Sequence, residues 1–382
     1  MQLVSYIAHA APATRRPATG DEPYLRPELG FVPRWYAQKL GLDFGQRWHT
    51  DPAYRRDTII AMANETRRRF GRRARIGVLQ APDRQSRDLL TGTFGTLLVA
   101  GIYGVPIVYR SDDWPWAAPG QHVSDRDAHN LETPSLDDNP FWNDFMGQVD
   151  WIAGEYGRVE GFMNWQGVLN NAYRLRGEQI FADIMEEPQR ARHVLECVAS
   201  TMIDGMQRLY GRQRRTGVEL RHCTVSNCLV NMLSPRQYQE FHLPLDRRIA
   251  ESFSMIGVHN CEWNADPYID LYRRLPNVAY IDMGISSDLA RAREAFPHAR
   301  RAIMYAPTDA QSKPTGEIER DLERVARDYG PCDVVFADMT DGTPDRRVHE
   351  LIDICEKLSE KYESEGDRGR GPTGPPVTQE AQ

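Results

Sequence analysis

The chain has 382 residues, 41% hydrophobic and 26% charged, with a formal net charge of −7. No apolar run nears the roughly 20 residues a membrane helix needs, and no basic block offers a footprint to a nucleic-acid backbone. Six cysteines over this length are too sparse for a disulfide scaffold, and MQLVSYIAHAAPATRR has no basic residue ahead of its apolar stretch, so a reduced, cytoplasmic setting is expected.

Residues 1–27 mix Pro, Ala, Thr and charge without period and read as a flexible arm. FVPRWYAQKLGLDFGQRWHTDPAYRRDTIIAMANETRRRFG then concentrates Arg34, Trp35, Tyr36, Arg47, Trp48, His49 and Arg55, with Asp51 as an N-cap before Pro52. Guanidinium forks beside flat rings suit an anionic or polycarboxylate ligand; the plainer reading is surface ion pairs and half-buried aromatics.

Strands and helices alternate from there. ARIGVLQ, VPIVYR and VEGFMN are candidate strands in the first half. A loop rich in Asp, Pro and Ser spans Trp114 to Pro140, and a long helix from about Pro188 carries an apolar stripe through Val194, Leu195, Val198, Met202, Met206 and Leu209. The second half gives five strand-to-helix units, led by HCTVSN, SMIGVHNC, NVAYIDMG, RAIMYAP and CDVVFADM. The helices are capped by Ser234, by Ser287 or Asp288, and by Thr343. Eight strands predict a single (β/α)8 barrel over 28–364, with a disordered tail over 365–382.

Barrel enzymes work at the C-terminal strand ends, which nominates Asp112, Asp113, Asn164, Asn227, His259, Cys261, Asp282, Tyr305, Asp309 and Asp338. Among these, His259 and Cys261 stand two apart at the end of an apolar strand and so face the same way, a natural start for a zinc site. The plainer reading is a buried thiol and a satisfied imidazole. Asp282, Asp338 and Glu262 are candidates to complete the ligand set.

SNCLVNMLSPRQYQEFHLPLDRRI, GVHNCEWNADPYIDLYRRL and GTPDRRVHELI resemble segments of the uroporphyrinogen decarboxylase superfamily, the second resembling the His-x-Cys strand of its corrinoid-linked methyltransferase branch. The resemblance spans roughly residues 30 to 360 and implies a single barrel. In the methyltransferase branch it implies zinc on His259, Cys261 and a third ligand. The position of that branch's second cysteine falls near Ala337 or Asp338, so Asp338 is the implied ligand, with Asp282 where some relatives place a carboxylate. It further implies methyl transfer between a corrinoid, carried by a separate protein, and a thiol or other small acceptor.

The decarboxylase branch implies metal-free chemistry on a tetrapyrrole or other polycarboxylate. Asp112 would be its acid, and Arg34, Arg47 and Arg110 would bind carboxylates beside Trp35, His49, Asn227 and Tyr305. A non-catalytic barrel that captures a corrinoid or tetrapyrrole is the third reading. The expectation is a zinc methyltransferase with catalytic Asp112 and Asp282.

Overall fold

The computed structural model describes residues 2–5, 15–20, 22–71, 74–76 and 88–364, of which 2–5 and 74–76 as backbone. The rest of ARIGVLQ, parts of 1–27 and the 365–382 tail lie outside the described residues. Ten strands are described: β1 (Gln2–Ser5), β2 (Leu25–Phe31), β3 (Ala74–Ile76), β4 (Ile107–Val108), β5 (Trp116–Ala117), β6 (His222–Ser226), β7 (Met255–His259), β8 (Val278–Gly284), β9 (Arg300–Met304) and β10 (Cys332–Met339).

Eight of them form one sheet in the order β3-β1-β2-β10-β9-β8-β7-β6, every neighbouring pair parallel. Parallel strands need crossover connections, and helices supply them, as the second-half alternation predicts. Between β6 and β7 the crossover begins at Ser234, whose hydroxyl accepts from Gln237 N at 3.2 Å while the Gln237 side chain accepts from Ser234 N at 2.8 Å. This reciprocal box fixes where the chain turns into helix. The long helix Pro188–Arg214 buries the predicted stripe from Val194 to Leu209.

The barrel expectation is met in its parallel sheet and crossover helices. Among the described residues no ladder joins β3 to β6, so the sheet is not closed. Three stretches differ from the strand count. VPIVYR contributes only β4, which pairs antiparallel with β5 in a separate hairpin. VEGFMN makes a single parallel bridge, Glu160 with Asp88. Conversely LRPELGF is a strand buried at all seven positions, though its central Pro27 and the charges of Arg26 and Glu28 mask the signal. Arg26 is compensated by Asp333, which accepts from its Nε and Nη2 at 2.7 and 2.8 Å. The segment read as an arm also pairs in the sheet through β1. Among the described residues no helix is long and apolar enough to cross a membrane.

Candidate metal centre

β6 and β7 run parallel with Ser226 opposite His259. The pairing continues one step beyond the strands, where Asn227 N donates to His259 O at 2.7 Å. Both chains then leave the sheet, and Cys261 takes φ of 58°. A non-glycine residue in this left-handed region is uncommon and marks a site where the surroundings over-determine the backbone. The turn sets Cys261 Sγ 2.9 Å from Cys228 Sγ and 3.1 Å from His259 Nε2. All three ligand atoms lie within 4.8 Å of one another.

The imidazole is held from behind. His259 Nδ1 lies 2.6 Å from Asp282 Oδ2, and the same carboxylate accepts from Tyr280 OH at 2.9 Å and from Asn260 N at 2.7 Å. Asn260 in turn donates to Asp282 O at 2.8 Å and accepts from Tyr272 OH at 2.7 Å. In the neutral ring a proton on Nδ1, directed at the carboxylate, leaves the Nε2 lone pair aimed at the two sulfurs.

Electrostatics follow from these contacts. Burial and the nearby Arg15 charge push the His259 pKa down, but Asp282 and the sulfur of Cys228 outweigh them and raise it to about 9. The hydrogen bond from the Cys261 thiol holds Cys228 well below the usual thiol range, and the same bond, with burial, pushes Cys261 up. Asp282 stays ionised, since His259 and Arg15 overcome the cost of burying it.

A cavity of about 330 Å³ opens beside the sulfurs, lined by Cys228, His259, Cys261, Arg15, Arg174, Tyr173, Asn164, Gln166 and Asn170 among others. Arg15 enters from the segment ahead of β2, anchored where Thr224 Oγ1 donates to its carbonyl at 2.7 Å. Arg174 comes from the helix Val168–Arg176. Its buried Nε has no hydrogen-bond partner, and burial lowers its pKa with only Cys228 and Tyr173 opposing.

Two sulfurs and one imidazole nitrogen are a soft donor set. They suit zinc, which takes three protein ligands where a fourth position is left for substrate, and they suit magnesium or calcium poorly. The residues present fit the ion.

The remaining sequence candidates fall elsewhere. His259 and Cys261 do converge, but the third member of the cluster is Cys228, not Asp338. Asp338 stands on β10, with β9 and β8 between it and β7. Asp282 is wholly buried behind His259, so it positions the ring and does not face the cavity. Asn227 is buried too, donating to Asp246 Oδ2 at 3.0 Å. Tyr305 donates to Asp321 at 2.8 Å.

Of the N-terminal group, Arg34 pairs with Asp112 at 3.2 Å and Arg110 lies 3.9 Å from it, all substantially exposed. Arg47 pairs with Asp51 at 3.1 Å. Trp35 is core, its ring tilted against Phe31 with centroids 4.4 Å apart, and His49 is core, its Nδ1 accepting from Phe94 N at 3.0 Å. None of these is among the residues lining the cavity at the sulfurs. The residues that escaped sequence reasoning are Cys228, Arg15 and Arg174. Cys228 alone had a signal: it stands two places past its strand, as Cys261 stands two past the neighbouring one.

No family model matches the chain, and no curated protein matches it; solved structures do. One is a methyltransferase from Methanosarcina mazei, at TM-score 0.62 and 13% identity, aligned over 92% of this chain and 99% of that one. At this identity the likeness is one of fold, and the chain shares its fold with that methyltransferase.

Proposed function

We propose that this chain is a zinc-dependent methyltransferase that moves a methyl group between a corrinoid and a small acceptor. The observation that carries the reading is the cluster of Cys228, His259 and Cys261 at one wall of the cavity, with His259 oriented by Asp282. Zinc bound there would lower the pKa of an acceptor thiol and hold its sulfur for in-line attack on a methyl group. The chain's own residues supply the rest. Cys228 and Cys261 offer two negative charges that offset the ion's, and Asp282 keeps the ring turned toward it. The fold likeness to a methyltransferase supports the class of reaction.

The cavity also narrows the acceptor. At about 330 Å³ it is at the low end for a ligand pocket, and a tetrapyrrole macrocycle would not be contained. The methyl carrier would therefore meet the site at the cavity mouth, presented by a separate corrinoid protein. Arg174 faces this space with no carboxylate paired to it among the described residues, so an acceptor bearing an anionic group is favoured. The decarboxylase reading has no comparable support, because Arg34, Arg110 and Asp112 sit together on the surface.

We also read the sheet as part of a closed (β/α)8 barrel. Its eight parallel strands are the number that closes such a barrel. Thiolate ligands fit a reducing, cytoplasmic setting.

Elemental analysis of the purified protein tests the metal. The expected result is one zinc per chain, lost in Cys228→Ala and in Cys261→Ala and retained in Asp338→Ala. Protein without stoichiometric zinc, or with zinc unchanged by both cysteine substitutions, overturns the reading. Methyl transfer from methylcobalamin to a thiol then tests the reaction.

A further inference from the structure

The pair of sulfurs at the centre has a chemistry of its own. Ser226 and His259 are opposite one another in the parallel ladder, and the Asn227-to-His259 bond extends that pairing. Cys228 and Cys261 each follow their paired residue by two places, where both backbones leave the sheet and Cys261 turns left-handed. The turn leaves the two Sγ atoms 2.9 Å apart, closer than the contact distance of two unbonded sulfurs. Both lie on the wall of the cavity.

The other four thiols are differently placed. Cys197, Cys223, Cys332 and Cys355 are all buried, and burial raises the pKa of each, which leaves them as unreactive thiols. Cys228 and Cys261 alone among the six have partial exposure. A small oxidant entering the cavity therefore meets these two sulfurs first.

We propose that Cys228 and Cys261 form a reversible disulfide with a hydroperoxide, and that this bond switches the site off. One sulfur, as thiolate, attacks a peroxide oxygen; the O–O bond breaks, giving a sulfenic acid and hydroxide, which becomes water with the proton the first thiol gave up. The second sulfur attacks the sulfenic sulfur, the S–O bond breaks and the S–S bond forms. The departing hydroxide takes the remaining thiol proton as water. In total two thiols and one hydrogen peroxide give one disulfide and two waters, the sulfurs losing the two electrons that the peroxide oxygens gain. A disulfide has no thiolate to ligate a metal, so a bound ion loses two of its three protein ligands together. This switch rests on the pair serving as the metal site, but the bond itself needs no metal.

The test uses the full chain, its zinc content measured first, treated with hydrogen peroxide and mapped by mass spectrometry without reduction. The expected product is a single cross-linked peptide pair joining Cys228 to Cys261, lighter by two hydrogens and restored to thiols by dithiothreitol. Any bound zinc should be released at the rate the cross-link forms. Cys228→Ser and Cys261→Ser should each abolish the cross-link and let the surviving thiol proceed to sulfinic acid. Sulfinic acid at Cys228 or Cys261 of the unaltered protein, without the cross-link, overturns the proposal, as does a cross-link through any other cysteine. The two readings separate cleanly. A cross-link in protein that never held zinc keeps the disulfide and sinks the zinc enzyme, whereas stoichiometric zinc with over-oxidised, unlinked sulfur does the reverse.

Discussion

His259 and His49 are both buried imidazoles, and they titrate in opposite directions. His49 lies in the N-terminal aromatic cluster, between the rings of Trp48, Phe94, Tyr109 and Trp114. Burial, then the charge of Arg55, drive its pKa down to about 3. His259 suffers the same burial, yet Asp282 and Cys228 carry it up to about 9. Enclosure alone makes an imidazole an inert, neutral core group; a carboxylate and a sulfur beside it make it a charged or metal-ligating one.

The largest effect should come from removing that difference. Asp282→Asn withdraws the partner of His259 Nδ1 and alters the acceptor of Tyr280 OH and Asn260 N. Breaking one side of a buried charged pair costs about 3–5 kcal/mol, and loss of a ligand's carboxylate support lowers metal affinity about 10- to 100-fold. In the metal-free protein the His259 ring, followed by NMR, should titrate near 9 in the wild type and below its ordinary 6.5 in the variant. A ring still titrating near 9 without Asp282 would break the comparison.

The stability that this raised pKa contributes is present below 6.5 and lost as pH rises toward 9. Cys228 acts oppositely: its depressed pKa contributes stability that grows with pH until the unfolded thiol ionises. The two shifts therefore slope oppositely with pH and offset one another above 6.5.

The next effect belongs to His49 and to two rings like it. His222 is lowered to about 4 and His242 to about 3, each chiefly by burial. A lowered base is neutral when folded and takes a proton when unfolded, so its stability contribution is complete above 6.5 and lost as pH falls. At pH 5 each ring should cost about 2 kcal/mol, read as a shift of the urea midpoint between pH 7 and 5. His49→Gln, which keeps an acceptor for the Phe94 N–H, should remove one ring's share of that slope. An unchanged slope would mean that the N-terminal imidazole is not neutral as its burial requires.

The same two regions show how far the sequence could be read. Cys261 lies past β7 and meets His259 through its left-handed turn rather than by strand alternation, whereas His259 was legible because an apolar strand is a local signal and β7 ends on it. The five second-half strands were legible for the same reason. Cys228 depends on the register between two chains, which no single stretch displays. Arg15 arrives from a segment without period, and the carboxylate that chiefly offsets its burial is Asp282, far along the chain. Asp338 was nominated by position in a family pattern, but the ligand atoms that gather at the site are those of Cys228, His259 and Cys261. In the N-terminal region Arg, Trp and His were visible as a concentration, but composition could not separate the buried Trp35 and His49 from the exposed Arg34 and Arg47.

Two arginines carry the contrast to smaller effects. Arg174 is a half-buried cation whose Nε is enclosed without a hydrogen-bond partner, with no carboxylate paired to it among the described residues. Arg174→Met should leave stability unchanged or raise it by about 1 kcal/mol, since an uncompensated buried charge is replaced by an apolar chain of similar length. It should also weaken binding of an anionic acceptor about tenfold or more, by calorimetry, while a neutral analogue binds as before. A variant that loses stability and binds the anion normally would assign Arg174 to the scaffold.

Arg34 should show the smallest effect. Its pair with Asp112 is close, at 3.2 Å, but the side chains are 48% and 38% exposed. Water screens such a pair, and ordering two long side chains offsets most of what remains. Arg34→Ala should therefore shift unfolding by less than about 0.5 kcal/mol, and any shift should vanish in high salt. Zinc content and methyl transfer should not change, because the pair does not line the cavity at the sulfurs. A large loss of turnover with unaltered stability would instead place the N-terminal arginines in substrate binding, and with them the polycarboxylate reading that their exposure argues against.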